Sequence, residues 1–348
     1  MISNLQSHTI PPEILKKFSL RPITSIDSIS VGNINKTYKV STDTDSYILQ
    51  NINPIVFKDP TAIDHNLCRL AAAFVSQESS YQVPTPLPAT DGETLLYDGR
   101  GRPWRLLPFV ADADNFNTPP SAEYAYQAAR TFADFSSQAS TVPQEHFHYT
   151  IANFHDLARY EVQYEQAQEQ VSPAHLEAAR ETMEGFADFS YIGQAYRHHL
   201  QRGAYTKRVH HHDTKINNLL FHRDQPTVKT IIDLDTVMPG YFFSDLGDLL
   251  MFGAGTFEDE TDVSKVTVHP EYHQAILTGY QDGLPTLSEE ERSLLPFSAL
   301  IMCYMLGLRF LADYLAGEVY FKAEYPGQNL DKAHNRLALL QALAQLQT

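Results

Sequence analysis

HHDTKINNLLF, from His211 to Phe221, sets a histidine, an aspartate, a lysine and paired asparagines ahead of an apolar run, and IIDLDTV, from Ile231 to Val237, adds two carboxylates soon after. In the pattern His211-x-Asp213-x-Lys215-x-x-Asn218, Asp213 has the chemistry to orient and deprotonate a hydroxyl. Lys215 can set a point charge on a phosphoryl group, whose negative charge is spread over its oxygens. Asn218 and Asp233 offer the hard oxygen ligands that Mg²⁺ takes alongside water and substrate phosphates. These parts fit phosphoryl transfer, which asks for in-line positioning and charge neutralisation more than for covalent catalysis. The adjacent His210, His211 and His212 do not make a metal site, because neighbouring side chains on an extended chain point apart. His211 is expected to brace the loop by hydrogen bonding. Asp235 fits a metal shell, a substrate contact or a loop cap.

Such a constellation needs a loop before a strand and a second strand to return. Two short strands, roughly Asn218 to His222 and Val228 to Ile232, joined by the turn RDQP, supply them. Upstream, SIDSISVG, KTYKVST, SYILQNI, ETLLYD and PWRLLPFV read as strands of a small antiparallel sheet. TAIDHNLCRLAAAFVSQ has the spacing of one amphipathic helix, with Asp59, Pro60 and Thr61 as its start signal. From about Ser121 the pattern changes to long helices. The expected architecture is therefore α+β: a small β-rich lobe over residues 1–108, then a larger, mainly helical lobe over 109–348, with LPFVADADNFNTPP as the connection. SALIMCYMLGLRFLADYLAG carries Arg309 and Asp313 in its middle, which suits a buried helix better than a membrane span. Standing four apart on one face, these two are expected to form an internal ion pair.

A chain of 348 residues with 43% hydrophobic content can bury a proper core. Its formal net charge of −16 argues against nucleic acid or anionic lipid as a partner held by long-range attraction. Cys68 and Cys303 lie far apart with no metal-ligand spacing, so neither a zinc site nor a disulfide framework is expected, and a reducing, cytoplasmic setting fits. The opening MISNLQSHTIPPEILKKF lacks the basic start and unbroken apolar core of a secretory signal.

The spacing H-x-D-x-x-x-x-N, followed by an aspartate after a strand turn, is the catalytic-loop arrangement of the protein-kinase signature set. HHDTKINNLLF, IIDLDTVMPG, SDLGDLLMFGAG, GNINKTYKV, YILQNIN and LGLRFLADYLAGEVYF together resemble the aminoglycoside phosphotransferase and choline kinase family over most of the chain. The resemblance implies a protein-kinase-like bilobal fold with ATP and Mg²⁺. It implies Asp213 as catalytic base, Asn218 and Asp233 as metal ligands, and Asp245 as a structural aspartate tying the loop to the helical lobe. It implies a phosphate-covering hairpin over Gly32 to Val40, so that Gly32, Asn33, Asn35, Thr37 and Gln50 face the nucleotide. It further implies a small-molecule sugar substrate, the anomeric hydroxyl of an N-acetylhexosamine, with Arg309 and Tyr320 lining its pocket.

Two departures stand out. The hairpin has a single glycine, and Asn33 and Asn35 tolerate the backbone angles that missing glycines would supply. The strand lysine that pairs the α- and β-phosphates in protein kinases is replaced by Gln50, leaving Lys39, Lys58 and Arg69 as candidate cations. The rivals are an amino-alcohol or aminoglycoside kinase, a pseudokinase that binds nucleotide without turnover, and an all-helical interaction protein in which the motif is accidental. Trp104 is expected in the core, and Asp248 on an exposed face or in a supporting role.

Overall fold

Alternation along KTYKVST and SYILQN puts apolar and polar side chains on opposite faces of a sheet, and the first of two compact units is built on that sheet. In this computed structural model the described residues are 10–29, 34–75 and 79–346. A short helix, α1 (Pro12–Lys16), precedes β1 (Ile23–Ile29), β2 (Lys36–Thr42) and β3 (Ser46–Asn51). After α2 (Pro60–Val75) come β4 (Leu96–Tyr97) and β5 (Pro103–Pro108), and the five strands pair in the order β1-β2-β3-β5-β4. All four of these pairings are antiparallel. Tyr38, Val40, Leu49, Trp104 and Leu106 bury one face against Ile14 and Phe18. Trp104 is a core residue whose indole N–H donates to Asp98 Oδ2 at 3.1 Å. By the same alternation Thr37, Lys39, Gln50 and Arg105 occupy the other face.

The start signal of α2 works as its residue types predict: Asp59 Oδ1 accepts the Thr61 backbone N–H at 3.0 Å. Inside α2, buried Asn66 donates to the carbonyls of His148 and Val237, each at 2.8 Å, and accepts the His148 N–H at 2.8 Å. That one amide gathers three distant stretches. The first unit accordingly comprises Met1–Asp114, Thr141–Ala152 and Leu220–Pro239, where a single cut after residue 108 had been expected. Backbone pairing is indifferent to sequence separation, and β6 (Ala113–Asp114) accordingly pairs with a strand from a hundred residues downstream, Asp114 opposite Phe221.

The second unit is helical: α3 (Ala122–Ala139), α4 (Leu157–Gln170), α5 (Pro173–Ala187) and α6 (Tyr191–Gln201), then the short strand β7 (Arg208–His210). Arg208, at the start of β7, makes a paired contact with the buried Glu291 carboxylate at 2.7 and 2.9 Å. The chain returns to the first unit through β8 (Leu219–His222) and β9 (Val228–Ile231). RDQP turns them, with Asp224 at φ 56° and the His222 N–H on the Thr227 carbonyl at 2.9 Å.

Helices α7 (Phe242–Gly253), α8 (Pro270–Gly283), α9 (Glu289–Leu294), α10 (Phe297–Leu315) and α11 (Gln328–Gln345) complete the second unit. Of these, α10 is long and apolar enough to cross a membrane, and it is mostly buried against α4, α7 and α11. Gly279 and Gly283 let α8 close on α3: a Cβ there would sit 2.3 Å from the Tyr126 carbonyl oxygen and 2.2 Å from that of Arg130.

Candidate active site

In the second unit the loop after β7 is suspended from α7 by carboxylates. Asp245 is fully buried, and its oxygens accept the backbone N–H groups of His211 at 3.2 Å and His212 at 2.7 Å, with His210 Nδ1 at 3.2 Å. Burial alone pushes its pKa up, but His210 beside it, with His212 and His211, outweighs burial and holds it down at about 2. Thr214 is tied down twice, its N–H to Asp248 Oδ2 at 3.0 Å and its hydroxyl to the Asp245 carbonyl at 2.6 Å. Asp248 is therefore buried beneath the loop and not on an exposed face. Burial first, and then the charge of Asp213, push its pKa well up.

Each of the three histidines has a different neighbour. His210 meets Asp245, while His211 packs edge-on against Phe132 and Phe135 and accepts the Asp213 N–H on Nδ1 at 3.3 Å, so its proton sits on Nε2. His212, at φ 67°, meets the Ser244 hydroxyl at 2.7 Å, and that hydroxyl also meets His155 Nδ1. Gly240 leaves room for this ring, since a Cβ would lie 2.2 Å from His212 Cε1. Among the described residues no group of three or more metal-binding side chains forms.

Asp213 is partly open, with its side chain 29% exposed, and its Oδ1 lies 3.4 Å from Lys215 Nζ. Asp213, and behind it Asp248 and Glu258, raise the pKa of that ammonium against the opposing effect of burial, so Lys215 stays charged. Asn218 Nδ2 donates to the Asp213 carbonyl at 2.8 Å and to Asp213 Oδ2 at 3.0 Å. Both partners are acceptors, which fixes the amide's orientation and leaves Asn218 Oδ1 as its acceptor atom. A hard cation would find there a neutral oxygen beside a carboxylate, which suits Mg²⁺. Asn115 braces the exit of the loop, donating to the carbonyls of Asn217 at 2.8 Å and Leu219 at 3.0 Å.

Arg309 and Asp313 do not pair. Asp313 Oδ1 accepts the N–H groups of Val319 at 3.0 Å and Tyr320 at 2.8 Å, and Oδ2 those of Phe321 at 2.9 Å and the Asn329 amide at 3.0 Å. Four donors satisfy that carboxylate better than one flexible cation would. The Arg309 guanidinium lies over aromatic rings instead, 4.7 Å from the centroid of Tyr160, 5.2 Å from Phe321 and 6.0 Å from the largely exposed Tyr320. The charges of both Arg309 and Lys215 bear on His155, whose burial, followed by His212, pushes its pKa well down.

In the first unit, Asp233 follows β9 as an exposed carboxylate in the left-handed region, φ 57° and ψ 57°. Two residues on, Asp235 is buried: Oδ2 accepts from Asn35 Nδ2 at 2.7 Å, and Oδ1 lies 2.5 Å from Arg105 Nη2, an ion pair by distance rather than an aligned hydrogen bond. Asn35 Oδ1 also accepts the Asn53 N–H at 3.0 Å. Asn35 works through its side chain and is not among the described residues with positive φ, contrary to the glycine-like role expected of it. Gly32 and Asn33 lie outside the described residues. Thr37 Oγ1 accepts from Gln50 Nε2 at 3.3 Å, and Gln50 Oε1 accepts from Arg105. The three candidate cations fare differently: Lys39 sits 4.1 Å over the Phe109 ring, and Lys58 and Arg69 are exposed. The buried cation beside Gln50 is Arg105, on the neighbouring strand and hidden in a run that reads as plain sheet.

The fold is shared with known structures. The microcompartment-associated aminopropanol kinase superposes with a TM-score of 0.65 at 17% identity, over 96% of this chain and 95% of that one. An aminoglycoside phosphotransferase from Alicyclobacillus acidocaldarius gives 0.63 at 15% identity, over 99% and 98%. Choline kinase from Cryptosporidium parvum gives 0.57 at 13% identity, over 92% and 89%. These likenesses establish the protein-kinase-like α+β fold. A family model described as the phosphotransferase enzyme family, APH, matches residues 25–289, the stretch that holds the loop, Asp233 and the Gln50 row. The chain belongs to the phosphotransferase enzyme family.

Proposed function

We propose that this chain is an ATP- and Mg²⁺-dependent kinase for a small sugar, transferring phosphate to the anomeric hydroxyl of an N-acetylhexosamine, N-acetylglucosamine or N-acetylgalactosamine, to give the sugar 1-phosphate. The sugar hydroxyl gives its proton to Asp213 as its oxygen bonds to the γ-phosphorus, and the bond to the β-phosphate oxygen breaks to release ADP. Lys215, held charged by Asp213, neutralises the transferring phosphoryl group. Asn218, through Oδ1, and Asp233 are the residues that would hold Mg²⁺, which when bound neutralises phosphate charge. Gly32, Asn33, Asn35, Thr37 and Gln50 serve the nucleotide. Arg309 and Tyr320 serve the sugar, while His211 and Asp245 hold the loop.

The observation that supports this most is the fixing of Asp213 by Asn218 and Lys215, which sets a half-open carboxylate beside a retained positive charge. The acceptor assignment rests on the motifs and on Arg309: a guanidinium already lying on Tyr160 and Phe321 suits ring hydroxyls and an acetamido oxygen. It disfavours a cationic amino alcohol or aminoglycoside at the same place. Steady-state ADP release with N-acetylglucosamine, N-acetylgalactosamine, choline and kanamycin tests the assignment. Turnover on the acetylated sugars is expected, and turnover on choline or kanamycin alone would overturn the acceptor while keeping the chemistry.

A further inference from the structure

The missing strand lysine leaves a question of charge, and the sheet itself answers it. Gln50 on β3 stands directly opposite Arg105 on β5, and its Oε1 accepts both Nε at 3.0 Å and Nη2 at 2.7 Å of that guanidinium. Nη2 also lies 2.5 Å from Asp235 Oδ1. The Arg105 side chain is 3% exposed, and its remaining nitrogen, Nη1, is buried with no hydrogen-bond partner. A guanidinium carries five N–H donors in a fixed fork, and leaving the Nη1 pair unmet is costly. With Nε and Nη2 locked, Nη1 cannot swing away to find water.

The surroundings identify the kind of acceptor this nitrogen would take. Arg105 lies on the sheet face opposite the apolar core, in a row with Gln50 and Thr37. Asp235, its ion-pair partner, also holds Asn35 and stands two residues beyond Asp233. A buried, pre-aligned guanidinium with an unspent N–H pair is suited to phosphate oxygens. We propose that Arg105 supplies the cation that Gln50 lacks, donating through Nη1 to a non-bridging oxygen of the α- or β-phosphate of the nucleotide. Gln50 and Asp235 are then its positioning residues. The pair Arg105–Asp235 stands in for the lysine–glutamate pair of protein kinases.

This deepens the nucleotide half of the proposed function and rests on it. The test is equilibrium titration of the full chain with Mg·ADP and, separately, adenosine, with no acceptor and no turnover. Arg105→Gln is expected to weaken ADP about 10- to 100-fold while leaving adenosine within about twofold. Arg105→Gln combined with Gln50→Lys, which moves the cation to the neighbouring strand, is expected to recover most of the loss. Equal weakening of ADP and adenosine, or ADP binding unchanged in a folded variant, would show that Arg105 is only a structural tie. If Arg105→Gln does not fold by circular dichroism, Arg105→Lys decides by the same ratio: a selective loss of about tenfold for ADP supports the proposal, and equal affinities overturn it. A parent chain that binds no ADP at millimolar concentration refutes the nucleotide reading itself, an outcome distinct from any failure of Arg105.

Discussion

The loop from His210 to Asn218 and the Asn35–Gln50–Arg105–Asp235 cluster are both polar networks anchored by a buried aspartate, but they are assembled differently. In the loop, the groups proposed to meet a substrate lie within a few residues of one another, and α7 holds them from beneath through Asp245 and Asp248. In the cluster, four separate stretches of chain each contribute one residue, and strand register alone brings Gln50 and Arg105 together. The first is a compact, pre-tied element, proposed to carry the catalysis. The second is a charge built by folding, and it exists only once the sheet has closed. Damage to the two should therefore look different, in turnover for one and in phosphate affinity for the other.

The sharpest division is expected at Asp213. Asp213→Asn removes the proposed proton acceptor and should lower turnover about 10³-fold while ADP affinity stays within a few-fold, read by ADP release and by titration. A variant retaining more than a tenth of parental turnover would separate the loop from the chemistry.

Asp245→Asn comes next, because it unties the loop. Its folded pKa of about 2 lies below the ordinary value of about 3.9, so the stabilisation is present in full above about pH 4 and is lost as pH falls through 2. Urea unfolding should show a deficit of about 2 to 3 kcal/mol at pH 7 that narrows steadily between about pH 4 and pH 2. A deficit independent of pH would mean the carboxylate charge is not what holds the loop.

Gly240→Ala should cost about 1 to 3 kcal/mol, since the added methyl meets the His212 ring, and its thermal transition should fall without a change in ADP affinity. Arg309→Leu is the mildest, raising the acceptor KM about tenfold with kcat and nucleotide affinity little altered. An unchanged acceptor KM would return Arg309 to a structural role on Tyr160 and Phe321.

The architecture was legible where the signal is local. Alternation gave β2 and β5, apolar spacing with Asp59 gave α2, and the turn RDQP gave the β8–β9 hairpin, each within a residue or two of its observed ends. The motif loop could be read for the same reason. What could not be read depends on register and burial. Arg105 looks like any charged residue in PWRLLPFV until β5 is set beside β3, and Asp248 looks like a surface residue until α7 is packed beneath the loop. Four spaces between Arg309 and Asp313 suggested an ion pair, but three backbone N–H groups of the 319–321 segment, none of which has a sequence signature, claim the carboxylate. The extent of the first unit was hidden likewise, since Asn66 and β6 reach partners far along the chain.

The most direct test of the proposed chemistry is phosphorus NMR of the purified protein with ATP, Mg²⁺ and N-acetylglucosamine or N-acetylgalactosamine, with Asp213→Asn in parallel. The account predicts a new resonance coupled to the anomeric proton, growing as ADP appears and absent from the Asp213→Asn sample. Phosphate arriving at another hydroxyl, or equal product from both proteins, would contradict it.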